Sequence, residues 1–112
     1  MNISYEGIGY LAMTVPAGDC SVGRVCCLNA SGYADDCYEG AYILGIVEAI
    51  KGDCATVQVE GVTKLSYTGP VPQVGVRKLM ANGYGGVKTS TEGKEYLVLA
   101  NDQENNTITV KL

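Results

Sequence analysis

Residues 54–60, Cys54-Ala55-Thr56-Val57-Gln58-Val59-Glu60, alternate in side-chain character almost without a break. Successive side chains of a strand point to opposite faces, so Ala55, Val57 and Val59 fall on one face and Thr56, Gln58 and Glu60 on the other. The stretch therefore reads as a half-buried β-strand. The end of the chain, Thr107-Ile108-Thr109-Val110-Lys111-Leu112, alternates in the same way. Just before the first stretch, Lys51-Gly52-Asp53 predicts a tight hairpin that folds residues 46–50 back onto 54–60. Just after it, Gly61 permits a second reversal, into residues 62–68.

Two further runs are apolar on both faces: Tyr42-Ile43-Leu44-Gly45-Ile46-Val47 and Tyr96-Leu97-Val98-Leu99-Ala100. Such runs predict central strands covered on both sides. Gly69-Pro70-Val71-Pro72 predicts an extended connector, because two prolines would remove two ladder donors. Asn101-Asp102-Gln103-Glu104-Asn105-Asn106 predicts a polar loop before the last strand. Glycine makes up 15 of 112 residues, about twice its usual share of about 7%. Many turns in a short chain mean many short strands, about eight to ten here. The expected fold is all-β: one domain over residues 1–112, built as a small closed or partly open β-barrel or sandwich.

The chain also resembles itself. Leu11-Ala12-Met13-Thr14-Val15-Pro16 is similar to Leu65-Ser66-Tyr67-Thr68-Gly69-Pro70. Val22-Gly23, followed by Leu28-Asn29-Ala30-Ser31-Gly32-Tyr33, is similar to Val74-Gly75, followed by Leu79-Met80-Ala81-Asn82-Gly83-Tyr84. Ile46-Val47 then matches Leu97-Val98, and Thr56-Val57-Gln58-Val59 matches Thr107-Ile108-Thr109-Val110. The order is preserved, which predicts two pseudo-repeated halves at about residues 11–59 and 65–110. On this alignment Tyr33 falls on Tyr84 and Val57 on Ile108.

Composition narrows the chemistry. There is no His, so the commonest general base and metal ligand is missing. A net charge of −4 argues against a nucleic-acid partner. No apolar run approaches the roughly 20 residues of a membrane-spanning helix, and no membrane contact is expected. The opening residues carry no basic segment and no long apolar run, so no secretion signal is expected and synthesis is placed in the cytoplasm. There the odd set of cysteines at 20, 26, 27, 37 and 54 should remain free thiols, mostly buried. Cys26 and Cys27 are adjacent in an expected strand and point to opposite faces, a poor start for a metal site. Asp35, Asp36 and Glu39 read as a solvated loop, with weak calcium binding as the other reading. Gly83-Tyr84-Gly85-Gly86-Val87-Lys88-Thr89 fails as a phosphate loop, since Val87 separates the last glycine from Lys88. No catalytic residue, metal or cofactor is therefore expected, although an enzyme using carboxylates or a cysteine thiolate stays open as a rival.

Tyrosine supplies every aromatic ring. Tyr33 and Tyr84 sit in expected turns, where a ring either anchors an interface or folds over its own barrel mouth. Residues 1–7, with Tyr5, are expected to form an N-terminal arm that orders on docking.

Gly45-Ile46-Val47-Glu48-Ala49-Ile50, Ala55-Thr56-Val57-Gln58-Val59-Glu60-Gly61-Val62, Tyr67-Thr68-Gly69 and Pro72-x-Val74-Gly75 resemble small head proteins of tailed phages and prophages. Further along, Gly83-x-Gly85-Gly86-Val87-Lys88, Gly93-Lys94-Glu95-Tyr96-Leu97-Val98 and a final strand ending at Leu112 continue the resemblance. These motifs specify strands and turns rather than chemistry. The resemblance implies a non-enzymatic decoration protein on the capsid exterior, with the major capsid protein as partner and a homo-oligomer, a trimer by analogy, as its state. A small ligand- or carbohydrate-binding β module is the alternative, with a Tyr-lined groove as its site.

Overall fold

In the computed structural model, which describes residues 10–112, alternation and turn chemistry produce ten strands and no helix. Tyr5 and the 1–7 segment lie outside the described residues. Strands β1 (Leu11–Pro16), β2 (Val25–Leu28), β3 (Ala34–Asp36), β4 (Gly45–Lys51) and β5 (Cys54–Glu60) form one sheet in the order β1-β5-β4-β2-β3. Strands β6 (Val62–Ser66), β7 (Gly75–Ala81), β8 (Val87–Thr89), β9 (Lys94–Asp102) and β10 (Thr107–Lys111) form the other, in the order β6-β10-β9-β7-β8. All ladders are antiparallel. The sheets pack together and neither closes into a barrel. A single parallel bridge links the two edge strands of each sheet near their ends, Ala17 to Ala34 in the first and Tyr67 to Val87 in the second.

The second strand order is the first with five added to every number. The irregularities match as well. Glu48 is an extra residue in β4, between pairs Val47–Val57 and Ala49–Thr56. Leu99 is an extra residue in β9, between pairs Val98–Val110 and Ala100–Thr109. These bulges place Val57 on Val110, not on Ile108. The edge ladders agree, because Val15 pairs with Ala55 as Leu65 pairs with Ile108. The second half also opens at Val62, the start of β6, rather than at residue 65. Sequence matching slipped because Thr-Val-Gln-Val and Thr-Ile-Thr-Val look alike at a shift of two, whereas a bulge fixes register absolutely.

Two clusters form the core. Val15, Cys26, Ala34, Val47, Ala55 and Val57 fill the first sheet's inner side. Val25, Ile43 and Ile46 join Leu65, Leu79, Val87, Tyr96, Val98, Ile108 and Val110 in the second cluster. The neighbours Val25 and Cys26, and likewise Ile46 and Val47, therefore serve opposite cores. Strands β2 and β4 are covered on both sides, and each fully buried aliphatic side chain contributes about 1.5–3 kcal/mol.

Several expectations change. The doubly apolar run at 42–47 is strand only from Gly45; Tyr42 lies in the connector 37–44 and is exposed. The run at 96–100 is one-faced: Tyr96 and Val98 are buried, but Leu97 is exposed because nothing among the described residues covers the outer side of β9. Gln58, expected on the polar face, is buried. Its amide Nε2 donates to the carbonyls of Glu60 at 3.1 Å and Val62 at 3.3 Å, which satisfies it at the β5–β6 reversal. Asp35 and Asp36 lie in strand β3, paired with Cys27 and Cys26, rather than in a loop.

Candidate functional site at the junction of the two sheets

The halves meet where β2 and the connector 37–44 face β7 and β8. The Val25 amide donates to the Gly85 carbonyl at 3.1 Å, and the Gly40 amide donates to the Ala81 carbonyl at 2.9 Å. Lys88 and Glu39 form an ion pair across the same seam. Arg24 Nε lies 3.7 Å from Asp36 Oδ1. That is too long for a hydrogen bond, and both atoms are buried without another partner among the described residues.

Each sheet presents one turn held by an asparagine. Asn29 Oδ1 accepts the amides of Ser31 at 2.9 Å and Tyr33 at 3.1 Å. Asn82 Oδ1 accepts those of Tyr84 at 2.7 Å and Gly86 at 3.1 Å. The matching positive-φ glycines are Gly32 (φ 83°) and Gly85 (φ 88°). Tyr84 thus occupies the place of Ser31, and Tyr33 that of Gly86. The expected equivalence of Tyr33 and Tyr84 arose from aligning two Gly-Tyr pairs, whereas the backbone aligns Gly32 with Gly85.

The two tyrosines differ in setting. Tyr33 is 45% exposed, beside Gly18. Tyr84 is 79% exposed, in the turn that meets Arg24. Two tyrosines that sequence reading missed, Tyr38 and Tyr42, stand exposed on the connector 37–44. The Glu39 backbone packs against Gly83, so Tyr38 and Tyr84 rise from adjoining loops. The available signal was Glu39-Gly40-Ala41, a break that separates Tyr42 from any strand before it.

Behind this rim lies a cleft of about 260 Å³ lined by residues 40–43 on one side and by Met80, Lys94 and Tyr96 on the other. The Lys94 ammonium sits 5.4 Å from the centre of the Tyr42 ring and 5.5 Å from that of Tyr96. Both lie within cation–π range. Burial, followed by the neighbouring Tyr42 and Cys37, raises the Tyr96 hydroxyl above its ordinary value and keeps it protonated at neutral pH. The cleft offers one cation, two aromatic rings and Glu92, an arrangement suited to stacking and polar contact.

The thiols are free. Burial pushes Cys26 up to about 12, and burial, with Cys27 next, raises Cys37 further still. Both are held as neutral thiols, the poorly nucleophilic form. Among the described residues no three His, Cys, Asp or Glu side chains converge as a metal site. Comparison with family models, with curated proteins and with solved structures returns no match.

Proposed function

We propose that this protein is a non-enzymatic structural module of a phage or prophage head, binding the outside of the capsid and other copies of itself through protein–protein contacts. One observation carries the proposal: Tyr38, Tyr42 and Tyr84, all strongly exposed, are grouped where the two sheets meet. Tyrosine is enriched in interface anchors, since it offers large area at low conformational cost. The frame of two packed sheets supports this use by presenting the rings on short, hydrogen-bonded loops. Small contacts of this kind, repeated over a symmetric shell, add through avidity.

Co-sedimentation with empty capsid shells tests the proposal. Wild-type protein should pellet with shells, and Tyr84→Ala or Tyr38→Ala should weaken association by about 1–2 kcal/mol. Failure to pellet with any shell would overturn it. The cleft beside Lys94 favours a second function, capture of a small ligand or glycan. Titration of a glycan panel with a Tyr fluorescence readout would support it, provided Tyr42→Ala abolishes the response.

A further inference from the structure

Alternation along β9 puts Lys94, Tyr96 and Val98 on one face. Val98 and Tyr96 are buried, whereas Lys94, at the start of the strand, is exposed. The core face of β9 therefore ends in a cation, on the cleft that Tyr42, Ile43 and Met80 also line. This ammonium has two tyrosine rings for company, and no carboxylate among the described residues comes within ion-pair distance of it. Tyr96 adds a second open donor. It is only 7% exposed and its ring packs in the core. Its hydroxyl keeps its proton at neutral pH, and among the described residues nothing hydrogen-bonds it. The oxygen is nevertheless not sealed from solvent, and the cleft is the opening that Tyr96 lines. A buried hydroxyl without a partner is costly, so a group in the cleft has to serve it. Glu92 lines the same cleft two residues from Lys94, yet the two form no ion pair. It stands apart as an acceptor.

We infer that the cleft binds one acidic sugar, a hexuronate unit, with its carboxylate on Lys94 and Tyr96. The volume of about 260 Å³ is below the roughly 300–1,000 Å³ of pockets for drug-sized ligands, which suits one ring rather than an extended chain. A carboxylate has two oxygens, one for the ammonium and one for the Tyr96 hydroxyl, and both bonds are charge-assisted. Tyr42, 73% exposed, leaves ring area for the C–H face of a pyranose. Glu92 repels a carboxylate and accepts a hydroxyl, so it fixes the orientation: acid toward Lys94, hydroxyls toward Glu92. A neutral hexose leaves the ammonium without a counter-charge, and a plain aromatic acid has no hydroxyl for Glu92. The inference rests on the ligand-capture reading above and is independent of capsid attachment.

Calorimetric titration of the full-length protein with glucuronate, glucose and benzoate at neutral pH tests it. Glucuronate should bind at least about tenfold more tightly than either of the others, and more weakly as salt is added. Lys94→Met should abolish that preference with the melting temperature unchanged. Tyr96→Phe, which keeps the ring and removes only the hydroxyl, should weaken glucuronate binding several-fold. Equal affinity for glucuronate and glucose would overturn the inference, as would equal affinity for benzoate or glucuronate binding unaltered in Lys94→Met. Binding of neutral sugars without a preference for the acid sinks the acidic-sugar assignment alone, whereas silence from all three probes and from the glycan panel sinks the ligand-capture reading with it. Lys94→Met should still pellet with capsid shells as wild type does, so loss of sugar binding and loss of capsid binding are told apart.

Discussion

Asn29 and Asn82 hold the same turn in the two sheets, each side-chain oxygen accepting the amides two and four residues ahead. They differ in depth. Asn29 is exposed and its Nδ2 donates to Asp35 at 3.0 Å. Asn82 is buried and its Nδ2 donates to Thr68 Oγ1 at 3.1 Å and more weakly to the Val87 carbonyl at 3.4 Å.

Replacing Asn82 by Ala leaves the Tyr84 and Gly86 amides without their acceptor, while the Val87 carbonyl keeps the Thr68 amide at 3.1 Å. It should cost about 1–3 kcal/mol in urea unfolding. Asn29→Ala strips the same acceptor from an exposed turn where water replaces it, and should cost about 0.5–1.5 kcal/mol. Equal losses at the two positions would refute this ordering.

Gly45 opens β4 beneath β5. A Cβ there would lie 2.9 Å from Val57 Cγ1 and closer still to the Gln58 carbonyl oxygen, which is backbone and cannot swing away. Gly45→Ala should destabilise by about 1–3 kcal/mol, as overpacking does. Gly52→Ala has open space around its Cβ, and its penalty comes only from a φ of 56°. It should cost about 1 kcal/mol, within the range for a residue held in the left-handed region. Thermal unfolding of the two variants separates the causes.

Thiol reactivity should follow burial. Cys54, exposed at the start of β5, should be labelled first by iodoacetamide near neutral pH. Cys20 and Cys27 are half-buried and should follow. Cys26 and Cys37 should react only on unfolding, because burial raises both and shrinks the thiolate fraction. Peptide mapping that finds Cys26 or Cys37 modified before Cys54 would contradict the order.

Asp35 should titrate below its ordinary 3.8, because the Asn29 side chain and then the Asp19 amide hydrogen-bond its carboxylate. A carboxyl depressed by folding contributes stability above its unfolded pKa, lost as pH falls through the folded value. That loss belongs to the window beneath pH 3.8. Carboxyl NMR titration checks it, and Asn29→Ala should move the Asp35 midpoint back up. A native midpoint at or above 3.8 would count against the hydrogen bonds.

Much of the fold was legible from residue chemistry alone. Alternation at 54–60 and 107–112 marked β5 and β10, Gly52-Asp53 became the two-residue turn between paired Lys51 and Cys54, and the prolines at 70 and 72 kept that segment out of any strand. Of the site, Tyr84 was legible because an Asn-Gly-Tyr-Gly turn leaves its ring little to pack against. Tyr38 and Tyr42 were not, since Tyr42-Ile43-Leu44 has the apolar look of a strand while the backbone there belongs to a connector.

Period-two patterning, glycine at positive φ and proline in connectors depend on each residue's own backbone and side chain, so the sequence by itself determined an all-β chain and the places where it turns. Which apolar faces are covered depends on what packs over them. Val25 is buried because residues of the second sheet and the connector 37–44 pack over it, whereas Val76 is left exposed. The same holds for Gln58, whose burial required two carbonyls brought to it by the β5–β6 reversal. Only the tertiary structure decided those points, because burial is a property of neighbours distant in the chain, and bulges at Glu48 and Leu99 fixed which neighbours they are.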